Sequence, residues 1–398
     1  MTPRERMRKA LSREEPDRVP IDFGQDFHNG IHECAYARLL DHLGLQAHGE
    51  FRIYDLMQRL VRVDDRVLDR FEVDTRYIMA NPSEHFSLRV EPDGSFEDEW
   101  GIYRKRCGHF CENVRPPLAS ANRQEIIRHR FPDPTDPSRF RGLRERAQAL
   151  YRDTGYALMA GQAASLFYLS SELIGFERYM LEAASDLPLI EVLADKVLEW
   201  MCEFTRRYLA GIGDCVEAWW MGDDWGMQTG PIVRPAFFRK VFKPRYARLL
   251  DVVRSSSRAK ICLHTCGATR WILPDLIDLG VDAVHPLQAT AEGNGDPDLL
   301  KREFGGRIAF YSNIANTTVL PNGTPEEVRA EAARKIRALA PGGGYVFSAG
   351  HNIQADVPPE NILALFDTAR EVGRYPIAAN CPGPLSARRA APSPGCPV

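Results

Sequence analysis

From about residue 140 the chain repeats one pattern. A helical stretch is followed by a short apolar run that ends in polar residues. The apolar runs are YALMAGQ (156–162), CVEAWWMGDD (215–224), AKICLHTC (259–266), VDAVHPLQ (281–288), RIAFYSNI (307–314) and GYVFSAGHN (344–352). Between them lie segments such as TPEEVRAEAARKIRAL (324–339), opened by a capping box of Thr324 and Glu327. Strand alternating with helix over this length predicts a parallel sheet. Six such units, joined by one or two strands from the N-terminal part, predict an α/β fold: a closed (β/α)8 TIM barrel with an N-terminal helical and hairpin excursion. An open doubly wound sheet is the alternative, and it lacks a glycine-rich dinucleotide fingerprint after a strand.

Before residue 140 the pattern is less regular. Thr2, Pro3 and Glu5 have the form of a helix start. RVPIDFG (18–24) reads as a short strand, and 32–46 and 52–71 read as helices. Residues 87–113 alternate around Asp93-Gly94, which predicts a hairpin. Residues 1–376 are expected to form one domain. The tail 377–398, rich in Pro, Ala and Ser, is expected to be disordered.

Composition narrows the class. Hydrophobic residues make up 44% and charged residues 26%, enough for a sizeable core in a globular protein. The net charge of −3, with both signs interspersed, argues against a nucleic-acid or polybasic membrane partner. No apolar stretch reaches the length of a membrane span, and the charged start has no signal-peptide core. The expected location is cytoplasmic. Nine scattered cysteines then read as reduced thiols, some available to a metal, rather than as a disulfide framework.

The candidate chemistry gathers at strand ends. Asp223, Asp224, His264, Cys266, His285, Gln288, Ser312, Asn313 and His351 all fall at the carboxyl ends of predicted strands, where a barrel carries its active site. His264 and Cys266 stand two residues apart, so strand alternation puts them on one face, with Cys262 deeper on the same side. Imidazole and thiolate suit zinc, which needs a further ligand. His351 is the first choice, and Glu217, Asp223 and Asp224 are others. The plain alternative is a hydrogen-bonded rim histidine beside a small buried cysteine. Asp223 and Asp224, among Trp219, Trp220 and Trp225, are candidate catalytic carboxylates; otherwise one of them caps the next helix. Cys107, His109 and Cys111 also alternate, as a second metal set or as one face of a hairpin strand. His28 and His32 either reach the same rim or cap a helix.

RVPIDFG…GIHECAYARLLDHLG, GDDWGMQTGPIVRP…FRKVFKPRY, LHTCGATRWILPDLIDLGVDAVHPLQ, LPNGTPEEV and GGGYVFSAGHNIQADVPPENI together resemble the uroporphyrinogen decarboxylase superfamily, in family order over about residues 3–375. The resemblance implies a (β/α)8 barrel and one of two activities: tetrapyrrole decarboxylation, or zinc-dependent methyl transfer with a corrinoid protein. The decarboxylases resemble one another in an N-terminal arginine run that holds substrate carboxylates. Here no arginine lies between Arg18 and Arg38. The methyltransferases are similar to this chain in His-X-Cys-Gly, matched by His264, Cys266 and Gly267. Their third ligand, usually cysteine, falls in the last-strand loop, where this chain has His351. An Asp that many relatives carry after YSNI is replaced by Ala315.

The resemblance therefore implies a zinc-dependent methyltransferase moving a methyl group between a small methylated substrate or thiol acceptor and a corrinoid on a partner protein. His264, Cys266 and His351 would bind the metal, with Asp223 and Asp224 as catalytic groups. A decarboxylase of a tetrapyrrole or another carboxylate is the alternative, and a non-catalytic ligand-binding barrel the third.

Overall fold

The computed structural model describes residues 1–378 apart from 25–27, 47, 48, 50 and 163. The predicted disordered tail lies, from residue 379, outside the described residues.

Strands β1 (Ile53–Asp55) and β2 (Leu60–Val61) form a small antiparallel pair. β3 (Thr75–Tyr77) follows, and then a three-stranded antiparallel sheet of β4 (Phe96–Glu97), β5 (Tyr103–Cys107) and β6 (Phe110–Arg115). The remaining strands are β7 (Ala157–Gly161), β8 (Ala218–Gly222), β9 (Lys260–His264), β10 (Ala283–His285), β11 (Ala309–Tyr311) and β12 (Tyr345–Val346). They join β3 in a curled parallel sheet of order β12-β11-β10-β9-β8-β7-β3. All six late strands fall inside the predicted runs but are shorter, because the polar residues that end each run turn into loops.

Residues 20–22 reach both edges of this sheet. Ile21 bridges Phe347 in parallel beside β12, and Asp22 N–H donates to Phe347 O at 2.9 Å. On the other side Asp74 N–H, just before β3, donates to Ile21 O at 2.8 Å. The concave face carries small side chains (Ala157, Ala218, Cys262, Ala283 and Ala309) together with the larger Met159, Trp220 and Tyr311. Met7, Ala10 and Leu11 of the helix Pro3–Leu11 pack into it from the amino end. The capping boxes at Thr2–Glu5 and Thr324–Glu327 are both formed.

The amino end is held by charge. Asp74, fully buried, accepts from Arg18 at 2.8 Å, from Arg6, and from Ile21 N–H at 2.7 Å. Glu217 stands at the start of β8 and accepts from Arg8 at 2.8 Å. It therefore lies at the opposite end of the strand from His264 and drops out as a metal ligand.

Residues 52–71 do not form the predicted helix. Asp55 accepts the N–H groups of Met57 and Gln58, and Arg59 takes a positive φ, so the chain turns back as β1–β2. Only Asp65–Arg70 is helical, capped by Asp64. The spacing of Cys107, His109 and Cys111 misleads in the same way. The hairpin turns at Gly108, which has φ +64°, so the three do not share a strand face. Cys107 is exposed and Cys111 buried.

Candidate metal centre

β9 brings His264 to the carboxyl rim, between Gly222 of β8 and His285 of β10 in register. Gly222 matters because His28 lies against it: a Cβ there would sit 2.7 Å from His28 Nε2. The His28 ring uses that space to stack on His264, with centroids 4.2 Å apart. On the other side His264 Nδ1 and His285 Nδ1 are 2.8 Å apart, so one hydrogen bond and one shared proton link them. His285 is fully buried; burial, reinforced by the neighbouring histidines His264, His28 and His351, holds it neutral with its pKa well below the usual imidazole range.

The strand ends at His264, yet Cys266 still returns to it: its Sγ is 3.3 Å from His264 Nε2. The loop is clamped from both sides. Thr265 N–H donates to His285 O, and Trp225 N–H donates to the Thr265 hydroxyl. Cys266 N–H donates to Asp224 Oδ1 at 2.8 Å, and Cys266 O accepts from Gly226 N–H at 3.1 Å. Gly226 and Gly267 allow this approach. A Cβ on Gly226 would lie 2.7 Å from Cys266 O, and one on Gly267, which has φ +82°, would collide with the Gly226 backbone. Asn294 Nδ2 then donates to Gly267 O at 2.8 Å.

His351 enters from the loop after β12. Its ring centroid is 5.2 Å from that of His264. One ligand atom each from His264, Cys266 and His351 lie within 4.8 Å of one another. A tetrahedral zinc with Zn–S of about 2.3 Å and Zn–N of about 2.0–2.1 Å needs S and N about 3.6 Å apart. The 3.3 Å between Cys266 and His264 is close to that. Burial, then the charge of Asp224, pushes the free Cys266 thiol pKa well up, so a cation is what would turn it into a thiolate donor.

The two aspartates separate. Asp223 is 3% exposed and accepts the N–H groups of Leu166, Phe167 and Tyr168 at 2.7–2.9 Å, together with the Tyr246 hydroxyl. Burial pushes its pKa up to about 7 against those donors. It anchors the start of the helix Leu166–Ile174. Asp224 faces the cluster, with Oδ1 3.5 Å from His264 Nε2. Burial raises its pKa, but His264, the Cys266 N–H and His351 outweigh that and keep it ionised.

His32 caps the helix Glu33–His42, its Nδ1 accepting the Cys34 N–H at 3.1 Å. Its Nε2 lies 3.3 Å from His109 O. His32, Cys34 and His109 thus form a second cluster of donor type, but one ring nitrogen of His32 is committed to the cap and the other faces a carbonyl. Sequence reasoning placed His285 on the rim and missed its role behind His264. The signal was present: consecutive parallel strands both end in histidine.

The model of the uroporphyrinogen decarboxylase family matches residues 109–372, about two thirds of the chain. The chain belongs to that family. Among curated members, the uroporphyrinogen decarboxylase of Alkalilimnicola ehrlichii is 26% identical over 255 residues, covering 61% of this chain and 65% of that protein. The one from Bordetella bronchiseptica is 30% identical over 187 residues, covering 46% and 49%. The chain thus spans between about half and about two thirds of the length of such relatives. A solved structure, a methyltransferase from Methanosarcina mazei, superposes with a TM-score of 0.62 at 19% identity, over 93% of this chain and 99% of that one. At that identity the likeness concerns the fold, which this family member shares along nearly its whole length. No helix among the described residues is long and apolar enough to cross a membrane.

Proposed function

We propose that this family member is a zinc-dependent methyltransferase, moving a methyl group between a small methylated substrate or thiol acceptor and a corrinoid on a partner protein. Residues 1–376 would act as one (β/α)8 domain, with residues 20–22 as the eighth strand. The observation that carries this is the convergence of His264, Cys266 and His351 at the carboxyl rim. Two imidazoles and one thiolate leave a tetrahedral ion one open position, the pattern of a catalytic site. When bound, zinc would supply Lewis acidity and hold an acceptor thiol as thiolate at neutral pH. Asp224, next to His264, is the group placed to accept a hydrogen bond from an incoming thiol or hydroxyl and orient it. Asp223 acts from behind it, fixing the loop.

The names of the curated relatives favour a second function, decarboxylation. The arginines flanking the N-terminal run are, however, already engaged: Arg18 with Asp74 and Arg38 with the carbonyls of Ala355 and Val357. Neither is free to hold a substrate carboxylate. Zinc analysis and anaerobic incubation with methylcobalamin and a panel of thiols separate the two. Stoichiometric zinc with demethylation of the cobalamin is the expected result. Stepwise carbon dioxide loss from uroporphyrinogen by metal-free protein, at ordinary turnover, would replace it with the decarboxylase.

His285 provides a sharper check. With a metal on His264 Nε2, His264 Nδ1 must carry a proton and donate it to His285 Nδ1. His285 then fixes the tautomer and ring orientation of the ligand, as outer partners do. His285→Ala is expected to weaken zinc binding about 10–100-fold. Competition with a chromophoric chelator measures this; unchanged affinity in a folded variant would remove His285 from the centre.

A further inference from the structure

The helix Pro325–Leu339 buries a charged group that the proposed chemistry does not use. Lys335 is 0% exposed and shares the buried side of that helix with Ala332, Ile336 and Leu339. Its Nζ donates to Asn313 Oδ1 at 2.6 Å and lies 3.5 Å from Glu331 Oε1. Burial pulls its pKa down to about 8 against the opposing charge of Glu331, so most of it is still an ammonium at pH 7. Stability alone does not call for a charge here, since an apolar side chain of similar volume often serves a buried site as well or better. What the ammonium does is orient and polarise one buried amide.

That amide stands between the loops that carry two of the metal donors. With its oxygen held by Lys335, Asn313 donates from Nδ2 to two carbonyls of the loop after β10, Leu287 O and, at 3.3 Å, Asn294 O. The same loop closes on Gly267, the residue after Cys266. Gln288, next to Leu287, accepts the Gly267 N–H on Oε1 at 3.0 Å, and Asn294 donates from Nδ2 to Gly267 O at 2.8 Å. On the other side Ser312, next to Asn313, donates its hydroxyl to Ser348 O at 2.7 Å, in the loop that leads to His351. Asn294, Ser312 and Asn313 are all fully buried.

We infer that Lys335 is a positioning residue of the candidate metal centre: by holding Asn313 it ties the Cys266 loop to the His351 loop and so sets the spacing of the two donors. Calling them metal donors rests on the methyltransferase proposal. The placement of the Cys266 thiol does not, because every link in the relay is a hydrogen bond of the protein itself. Asp224 and Gly226 hold Cys266 from the side of β8, and this relay holds it from the side of β10. Cutting the relay therefore releases one side only. The loop should open locally without unfolding, leaving the thiol more accessible and its distance to His351 less defined.

The test has two readouts on the full chain. One is alkylation by iodoacetamide after metal is removed by chelation, followed at each cysteine by peptide mass spectrometry. The other is zinc affinity by chelator competition. Lys335→Met is expected to raise the Cys266 rate about threefold or more and to leave the rate at the exposed Cys107 unchanged. Asn313→Ala should do the same. Adding Lys335→Met to Asn313→Ala should then change nothing further, because the lysine acts through that amide. Zinc binding by Lys335→Met should weaken about tenfold, the lower end for a group outside the ligands. An unchanged Cys266 rate or an unchanged zinc affinity in folded Lys335→Met would overturn the inference. So would a rise at all cysteines together, as for general loosening, or additive effects of the two substitutions. Should Lys335→Met not fold, Lys335→Gln is read in its place by the same criteria. The expected Cys266 pattern in a chain whose wild type binds no zinc would keep the relay and discard the methyltransferase proposal alone.

Discussion

Cys266→Ala protein, prepared beside wild type with zinc present, is expected to bind the metal at least about a hundredfold more weakly while keeping its fold. Loss of an outer partner costs a metal site about 10–100-fold, so loss of a direct ligand should reach or exceed the upper figure. His264→Ala and His351→Ala should behave alike, because the three donors form one compact set. The fold should survive because the packing of the concave face rests on side chains such as Met159, Trp220 and Tyr311 rather than on an ion. Zinc content and circular dichroism check both halves. Stoichiometric zinc retained in His351→Ala would take that residue out of the site. Wild type that takes up no zinc on titration would reduce His264 and Cys266 to a rim histidine and a small cysteine.

Asp223→Ala should lose about 3–5 kcal/mol of stability, since it strips several buried donors of their acceptor at once. Three backbone N–H groups at the start of the helix Leu166–Ile174 and the Tyr246 hydroxyl all converge on that carboxylate. Asp224→Asn is the contrasting variant. Its side chain is 45% exposed, and an amide oxygen can still accept the Cys266 N–H. It should melt close to wild type and lose turnover instead. Urea unfolding of the pair decides: an Asp223→Ala midpoint equal to wild type would show that the helix start is satisfied some other way.

The late strands were legible because a parallel strand buried on both faces is a nearly unbroken apolar run. Its polar end marks the rim, and alternation placed His264 above Cys262. Two kinds of feature were not legible. One is local turn chemistry that overrides periodicity, as where Asp55 captures two N–H groups and turns the chain, or where Gly108 splits the Cys107–Cys111 spacing. The other is proximity between distant segments. Nothing in GDDWG announces that Gly222 is where His28 lies, or that Asp223 faces away toward residues 166–168 while Asp224 faces His264. Adjacent and identical in type, the aspartates invite one role, and only the third dimension divides them.

The contact of Gly226 with Gly267 has a mechanical consequence. Backbone lies on backbone there, with hydrogen bonds from Gly226 to Cys266 and from Ala268 to Met227 on either side. The loops after β8 and β9 are thereby stitched into one plate, and neither can shift without carrying the other. Any breathing of the rim during a catalytic cycle would move the thiol of Cys266 and the carboxylate of Asp224 in step. Their spacing would hold while the distance to His351, on a separate loop, changes. The site would then open as a jaw with two teeth on one side and one on the other.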